Sequence, residues 1–241
     1  MFFQQLQQAF QHRFTEDQQS LVEKLSDFLF HQPETKVFII DGYAGTGKTG
    51  LMSALVKVLP FYSIKTILLA PTGRAAKVLS RNSQKTASTI HKHIYYSSID
   101  TNGNISLKLK NNKNTSTLYI VDEASMIGAR EQGFEAHNLL DDLLQHCLSG
   151  YKNKVIFMGD TAQLPPIGSS TSPALKQEYL ETEFALTTQY QRLTQVVRQA
   201  LQSGILRNAS NIRWAIANGR IRLPILKTKD LNDVRIVEAY D

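Results

Sequence analysis

The sequence predicts an α/β fold in which a parallel β-sheet is flanked by helices. Four short apolar runs alternate with stretches of helical periodicity, and a glycine-rich loop follows the first run. Such alternation favours a parallel sheet, because the connection between two parallel strands usually carries a helix across one face. The predicted strands are Val37–Ile40, Thr66–Leu69, Leu118–Val121 and Lys154–Met158, and the predicted helices lie at about 15–30, 49–59, 74–81 and 136–148.

Two segments depart from this alternation. Residues 93–117 are polar, and Asn102–Gly103 stands between two β-prone runs, which predicts a small β-hairpin inserted into the sheet domain. Later in the chain the composition shifts towards Gln and Arg, which predicts a long helix over 190–218. We therefore expect a first domain over 1–183, followed over 184–241 by a linker helix and the incomplete start of a second domain.

The composition is that of a globular protein. Of 241 residues, 42% are hydrophobic and 20% are charged, which is enough for one good core. No apolar run approaches the length that crosses a bilayer, so we expect no membrane partner. The single cysteine, Cys147, excludes an internal disulfide framework and fits a reducing compartment. A cytoplasmic protein is therefore expected, with Cys147 as a small buried hydrophobic residue.

The net charge of +6 is concentrated in two segments. Residues 65–113 hold nine Lys and Arg against one acid, and residues 184–229 hold eight against none. Clustered positive charge suits a polyanion such as nucleic acid, since displaced counterions supply much of the affinity. The alternative is a pair of solvated helix faces. Charge by itself leaves both interpretations open.

An eight-residue loop after the first predicted strand matches the Walker A pattern. It comprises Gly42, Tyr43, Ala44, Gly45, Thr46, Gly47, Lys48 and Thr49, and a predicted helix follows it. The glycines let successive backbone N–H groups turn towards phosphate oxygens, and the amino end of the helix adds partial positive charge. In this pattern the lysine reaches the β- and γ-phosphates and the threonine hydroxyl binds Mg²⁺. We therefore expect the chain to bind a nucleoside triphosphate with Mg²⁺.

Polar residues also follow the third and fourth predicted strands. Asp122 stands directly after the third strand, where a carboxylate is placed to hold Mg²⁺, and Glu123 beside it can accept a proton from the attacking water. After the fourth strand, a proline-fixed loop can point Gln163 at the γ-phosphate. Adjacent acids after a strand also occur as plain loop residues. The Walker A match favours the catalytic interpretation here.

These residues together resemble the superfamily 1 DNA helicases, specifically the RecD-like, five-prime to three-prime branch. The likeness spans about residues 14–215 and keeps the order of the family's motifs. Gln18 is similar to a glutamine that reads adenine, and Arg198 is similar to an arginine finger. The segment that resembles the family's first DNA-gripping motif contains Pro71, Thr72, Gly73 and Arg74, and the segment that resembles the next contains Thr89 and His91.

The resemblance implies a RecA-like P-loop fold and an ATP-hydrolysing DNA helicase or translocase motor. It also implies Mg²⁺ with ATP as substrate, single-stranded DNA as partner, and action as a monomer or within a larger recombination or repair complex. The hairpin would then be the strand-separating element, in which Tyr95 and Tyr96 either stack on bases or pack a small core. Arg192 competes with Arg198 as the finger, because a similar stretch begins six residues earlier.

The family's motor needs two RecA-like domains, and no segment resembles the motifs of the second. We therefore expect a fragment of a longer protein that unwinds duplex poorly by itself; the alternative is a reduced relative that binds nucleotide without translocating. Two other classes of protein remain as rivals. The motif around Thr72 argues against a P-loop NTPase without a nucleic acid partner, and the intact Lys48 and Glu123 argue against a DNA-binding module without turnover.

Overall fold

Helices and strands alternate along most of the chain. The computed structural model describes residues 1–99, 105–128, 138–166, 168–197, 203–219, 226–228 and 233–234. Within these ranges the helices are α1 (Phe2–Phe10), α2 (Glu16–Ser26), α3 (Lys48–Val58), α4 (Gly73–Ser83), α5 (Ile90–Ile94), α6 (Leu139–Leu148), α7 (Gln177–Phe184) and α8 (Gly204–Ala217). The strands are β1 (Thr35–Gly42), β2 (Lys65–Ala70), β3 (Ala87–Thr89), β4 (Tyr95–Ile99), β5 (Ile105–Leu109), β6 (Thr117–Val121), β7 (Lys154–Gly159) and β8 (Thr187–Leu193). No helix in the described ranges is long and apolar enough to cross a membrane.

Six strands form one parallel sheet in the order β3-β2-β6-β7-β1-β8. The four strands predicted from apolar runs are confirmed as β1, β2, β6 and β7. Successive side chains of β1 enter opposite layers of the core, as the period of a strand requires. Phe38 and Ile40 pack with α1 to α4, whereas Val37 and Ile39 pack with α6. The expected parallel sheet with helices on both faces is therefore confirmed.

The second helix begins at a capping box. Thr15 accepts a hydrogen bond from the backbone N–H of Gln18, and the Gln18 side chain accepts one from the backbone N–H of Thr15. This reciprocal pair satisfies two of the N–H groups that a helix start leaves unbonded. A five-residue π-helix, Asp27–His31, continues α2 towards β1. The predicted helix at about 15–30 is thus an α-helix with a π-helical end.

Strands β4 and β5 pair in antiparallel register, which confirms the predicted hairpin. Its predicted turn, Asn102–Gly103, lies outside the described residues. Tyr95 is 4% exposed, and its hydroxyl donates to Asp142 of α6 at 2.5 Å. Tyr96 is 64% exposed, with the ammonium of Lys110 5.2 Å from the centre of its ring. Of the two tyrosines, Tyr95 therefore belongs to the core and Tyr96 faces solvent.

The expected long helix over 190–218 is wrong in its first part. Residues 187–193 form β8, which pairs with β1 at the edge of the sheet, and α8 begins only at Gly204. The Gln and Arg content suggested a helix, but the backbone groups of β1 offer a parallel partner, and pairing with them decides the conformation. The sheet expected within 1–183 consequently extends into the segment that follows.

Candidate active site

Three neighbouring strands deliver the candidate catalytic groups at one edge of the sheet. The glycine-rich loop follows β1, Asp160 follows β7 and Asp122 follows β6. Because parallel strands end on the same side, these loops surround one cavity of about 340 Å³. Its lining consists of Tyr43, Ala44, Gly45, Gly47, Lys48, Thr49, Gly50, Asp122, Glu123, Gly159, Asp160 and Gln163. The cavity thus brings together the predicted lysine, threonine, two acids and glutamine.

The glycine-rich loop, residues 42–49, is held in shape by its own hydrogen bonds. The Thr46 hydroxyl donates to the carbonyl oxygen of Tyr43 at 2.8 Å, and the Gly47 backbone has a left-handed φ of 82°. The left-handed backbone favours glycine at this position, and a Cβ atom there would also stand 2.6 Å from Nε2 of Gln18 and displace that side chain. Gly42 and Thr46 support the loop from outside the cavity lining.

Lys48 is the first residue of α3 and lies in the cavity. Its ammonium donates to the carbonyl oxygens of Gly42 and Tyr43, the latter at 3.0 Å. Burial lowers the pKa of Lys48, while the carboxylates of Asp160 and Asp122 act in the opposite direction. Phosphate oxygens would give this ammonium stronger, charge-assisted hydrogen bonds than two carbonyls do. The position therefore suits a lysine that binds phosphate.

Asp122 and Glu123 are arranged differently although they are neighbours in sequence. Asp122 accepts a hydrogen bond from the backbone N–H of Glu123 at 2.9 Å. Burial, with a smaller contribution from the charge of Glu123, raises the pKa of Asp122 to about 6, although the hydrogen bond from the Glu123 backbone and the charge of Lys48 act in the opposite direction. Glu123 has a left-handed backbone with φ 54°, a conformation that costs a non-glycine residue about 1–2 kcal/mol. Local strain of this size is common where a side chain is positioned for function.

The donors in the cavity fit a magnesium ion that accompanies a triphosphate. Mg²⁺ in such sites takes one or two protein oxygens and completes its shell with phosphate oxygens and water. Thr49 and Asp122 both line the cavity, and they would supply a hydroxyl and a buried carboxylate. Within the described residues no cluster of three or more His, Cys, Asp or Glu could hold a metal. Thr49 and Asp122 therefore fit an ion that phosphate oxygens of a nucleotide would also ligate.

Gln18 lies beneath the loop and is fully buried. Its Nε2 donates to the carbonyl oxygen of Thr46 at 2.8 Å, while its Oε1 accepts from the Thr15 backbone at 3.0 Å. Gln18 therefore links the glycine-rich loop to the start of α2. Its predicted role in reading adenine stays a prediction.

Of the two candidate finger residues, Arg198 lies outside the described residues. The Arg192 guanidinium pairs with Asp41 at 3.3 Å and lies 5.4 Å from the centre of the Tyr43 ring. Just before Arg198 in sequence, the Val197 backbone N–H donates to the carbonyl oxygen of Gly45 at 3.0 Å. Asp17 holds the preceding residue pair, 194–195, through three hydrogen bonds of 2.6–3.0 Å.

Asp160, which lines the cavity, and its partner Arg213 were not predicted from the sequence as site residues. Asp160 is 1% exposed and lines the cavity, and its carboxylate pairs with Arg213 of α8 at 3.2 Å. The signal for Asp160 was present, because it follows an apolar strand just as Asp122 does. Nothing local marks Arg213, which lies 53 residues away in sequence.

The candidate DNA-binding residues occupy the other end of the same sheet edge. Pro71, Thr72, Gly73 and Arg74 follow β2, Thr89 is the last residue of β3, and His91 lies in the first turn of α5. Thr72 caps α4 by accepting from the Ala75 backbone at 3.2 Å, and Arg74 is exposed in the first turn. With strands about 4.8 Å apart, β2 ends about 14 Å from β1. Whether these residues bind DNA stays a prediction.

Comparison with known proteins identifies the family. An AAA domain model matches residues 13–238. The chain belongs to this AAA domain family. An ATP-dependent RecD2 DNA helicase from Deinococcus radiodurans is 29% identical over 198 residues, which cover 82% of this chain and 24% of that protein. An uncharacterized protein of Acanthamoeba polyphaga mimivirus is 33% identical over 181 residues, which cover 66% of this chain and 35% of that protein.

The fold of this AAA domain also resembles a solved helicase. The crystal structure of Pif1 helicase from Candida albicans superposes with a TM-score of 0.51 at 18% identity, covering 84% of this chain and 44% of that chain. The RecA-like fold is thereby confirmed. The resemblance to superfamily 1, RecD-like helicases is confirmed by the AAA domain model and the RecD2 relative, and the chain is a helicase-like P-loop domain. It spans about a third or less of the length of the two relatives above.

Proposed function

We propose that this AAA domain is the ATP-hydrolysing part of a motor that moves along single-stranded DNA. The observation that carries the proposal is the cavity in which Lys48, Thr49, Asp122, Glu123 and Gln163 meet. Phosphoryl transfer to water needs a group that binds phosphate, ligands for Mg²⁺ and an acceptor for the proton of the water. Lys48 would bind phosphate, Thr49 and Asp122 would hold Mg²⁺, and Glu123 would accept the proton. DNA repair, recombination and membership of a larger complex remain predictions from the resemblance.

The chemistry proposed for these residues is the attack of water on the γ-phosphorus. The water oxygen forms a bond to phosphorus, the bond from phosphorus to the β,γ-bridging oxygen breaks, and ADP leaves. Glu123 accepts the water proton, Lys48 holds the β- and γ-phosphate oxygens, and Gln163 contacts the γ-phosphate. Bound Mg²⁺, held by Thr49 and Asp122, would neutralise charge that develops on the phosphates.

Arg198 is our proposal for the finger in preference to Arg192. The hydrogen bond from the Val197 backbone to Gly45 joins the residue before Arg198 directly to the glycine-rich loop. By contrast, the Arg192 guanidinium pairs with the buried carboxylate of Asp41.

The proposed DNA partner is supported by the charge of one helix face. Arg74, Lys77 and Arg81 are all exposed on α4 at a spacing of three and four residues, which places them on one face. The hairpin adds exposed Tyr96 and, paired opposite it, Lys108. Exposed cations with an exposed aromatic ring are the combination that binds single strands without reading sequence.

The test is the ATPase rate with and without single-stranded DNA, for the wild type and two variants. Lys48→Ala should lose ATP binding and turnover, because the phosphates lose their main cation. Glu123→Gln should bind ATP with near-normal affinity and lower kcat by about two to four orders of magnitude, because the proton acceptor is gone. Exposed Lys57→Ala, in the last turn of α3, serves as the control and should match the wild type.

The outcomes separate the rival classes. Stimulation of turnover by DNA supports the motor. Turnover that DNA leaves unchanged would favour a P-loop NTPase without a nucleic acid partner. DNA binding with no turnover in the wild type would favour a binding module.

A further inference from the structure

Helix α8 contacts two residues of the cavity lining through Arg213. The Arg213 guanidinium lies 3.2 Å from the carboxylate of Asp160 and 4.6 Å from the centre of the Tyr43 ring. Asp160 and Tyr43 both line the cavity. Arg213 therefore contacts two residues that line the cavity, although its helix begins after the last strand of the sheet.

The rest of α8 is bonded to a different part of the chain. Asp233 accepts from the Ser203 hydroxyl at 2.7 Å and from the Gly204 backbone at 2.8 Å, which caps the start of the helix. In the middle, Asn208 donates to the carbonyl of Lys227 and accepts from its N–H, both at 2.8 Å. A displacement of Arg213 would therefore move α8 together with Lys227 and Asp233, which are hydrogen-bonded to the helix.

Arg213 has two partners, and each offers its guanidinium only a limited interaction. Asp160 supplies a single carboxylate, which also accepts a hydrogen bond from the Ala162 backbone at 2.9 Å. The ring of Tyr43 offers a cation–π contact worth about 0.5–2 kcal/mol. A guanidinium has five N–H donors and binds phosphate oxygens in pairs, so a terminal phosphate in the cavity would compete strongly for it.

We propose that Arg213 senses the terminal phosphate: it leaves Asp160 for the γ-phosphate of a bound triphosphate and draws α8 with it. This inference rests on the proposed binding of ATP in the cavity. A diphosphate lacks the group that Arg213 would bind, so ADP leaves the pair with Asp160 in place. The triphosphate and the diphosphate then favour different positions of α8, and this difference in their binding free energy converts hydrolysis into movement of the helix.

The chain contains its own probe of this movement. Trp214 follows Arg213 directly, is 55% exposed, and is the single tryptophan in the sequence. Its fluorescence therefore reports on α8 alone. The experiment titrates the intact 241-residue chain with Mg²⁺ and either ADP or a non-hydrolysable ATP analogue, and records Trp214 emission. Equilibrium dialysis with labelled forms of the same two nucleotides measures their affinity independently of the fluorescence.

We expect the ATP analogue to shift the Trp214 emission and ADP to leave it unchanged. Arg213→Gln should abolish the shift and weaken binding of the analogue about three- to tenfold while leaving ADP affinity unchanged. Arg213→Lys should restore part of the shift, because it keeps the charge but not the paired donors. Arg207→Gln, an exposed arginine of the same helix, should behave as the wild type.

Two results would overturn the inference while the proposed function stands. One is analogue that binds by dialysis yet gives the same emission as ADP. The other is an Arg213→Gln variant that keeps both the emission shift and the preference for the analogue. If dialysis shows no binding of either nucleotide to the wild type, the proposed function itself fails, and the sensing role fails with it.

Discussion

Asp122 shows at the scale of one residue how binding chemistry opposes stability. Its pKa is raised to about 6 by burial, against about 4 in an unfolded chain. Between these values the folded state holds a proton that the unfolded state has lost, so stability falls as pH rises from about 4 to about 6. Above pH 6 the fold carries a buried, ionised carboxylate. That charge is what a magnesium ion would bind.

The prediction concerns Asp122→Asn, which removes this charge and keeps the shape. We expect the variant to be more stable than the wild type at pH 8 by about 1–3 kcal/mol, which is the free energy that raising the pKa from about 4 to about 6 represents. The gain should shrink below pH 6 and vanish near pH 4, where both states are protonated. Urea unfolding at several pH values measures it. A constant difference across pH would contradict the cause given.

Gln18 carries two possible roles that one substitution separates. Gln18→Met keeps the volume but leaves the buried Thr46 carbonyl and Thr15 N–H without these bonds, so we expect a loss of about 1–3 kcal/mol of stability. Gln19→Met, at the exposed neighbour, is the control. If Gln18 also reads adenine, the variant should bind ATP and GTP alike. Retained preference for ATP would leave Gln18 with only its role of linking the glycine-rich loop to α2.

At this scale the sequence predicted the residues that stand in a local pattern of their own. Lys48 and Thr49 end a loop with a fixed pattern, and Asp122 directly follows an apolar strand, so each could be assigned to the site. Asp41 could not, because its carboxylate is used by Thr161 and Tyr190, which come 120 and 149 residues later. Contacts of such separation depend on strand order, which no local pattern states.

At the scale of elements, the hairpin β4–β5 divides its two faces between core and solvent. The face with Tyr95 and Leu109 packs on the helix layer, and the face with Tyr96 and Lys108 is exposed. The alternation follows from the pleat of a strand. This division makes Tyr96 the hairpin ring that can meet a base.

We predict that Tyr96→Ala lowers affinity for single-stranded DNA about tenfold, the loss of one stacked base, with an unchanged melting temperature. Tyr151→Ala is a matched control, since Tyr151 is 71% exposed and Lys152 lies 5.3 Å from its ring centre, much as Lys110 does at Tyr96. Fluorescence anisotropy of a labelled oligonucleotide measures both. Equal losses in the two variants would mean a general effect of exposed tyrosines and would remove the hairpin from the binding surface.

The elements that were predicted correctly have strong periodicity of their own. The buried runs that became β1 and β6 and the apolar stripe of α6 each identify one structure. Strand β8 has no such signal: Thr187–Leu193 is mostly polar, and only its place beside β1 makes it a strand. A mostly polar edge strand is ambiguous without its neighbour.

At the scale of the whole molecule, we predict that the first domain ends after β8 and includes it. This strand is the outer neighbour of β1, and the Leu193 carbonyl accepts from the Tyr43 backbone at 3.3 Å. We predict that a chain stopped after Phe184 is aggregated or molten, whereas one stopped after Val197 is folded and monomeric. Circular dichroism melting and gel filtration compare them. A well-folded chain ending at Phe184 would instead support the boundary near 183 expected from composition.

The position of β1 also has a consequence for biosynthesis. Both of its partners, β7 and β8, are made more than a hundred residues later in the chain. During translation the emerging segment 35–42 is thus an apolar strand with two open edges and nothing to pair with, the kind of segment that chaperones shield from aggregation. Most of the polypeptide must be synthesised before β7 and β8 can pair with this strand and flank the glycine-rich loop that follows it. Nascent-chain folding of this domain should therefore be late and abrupt.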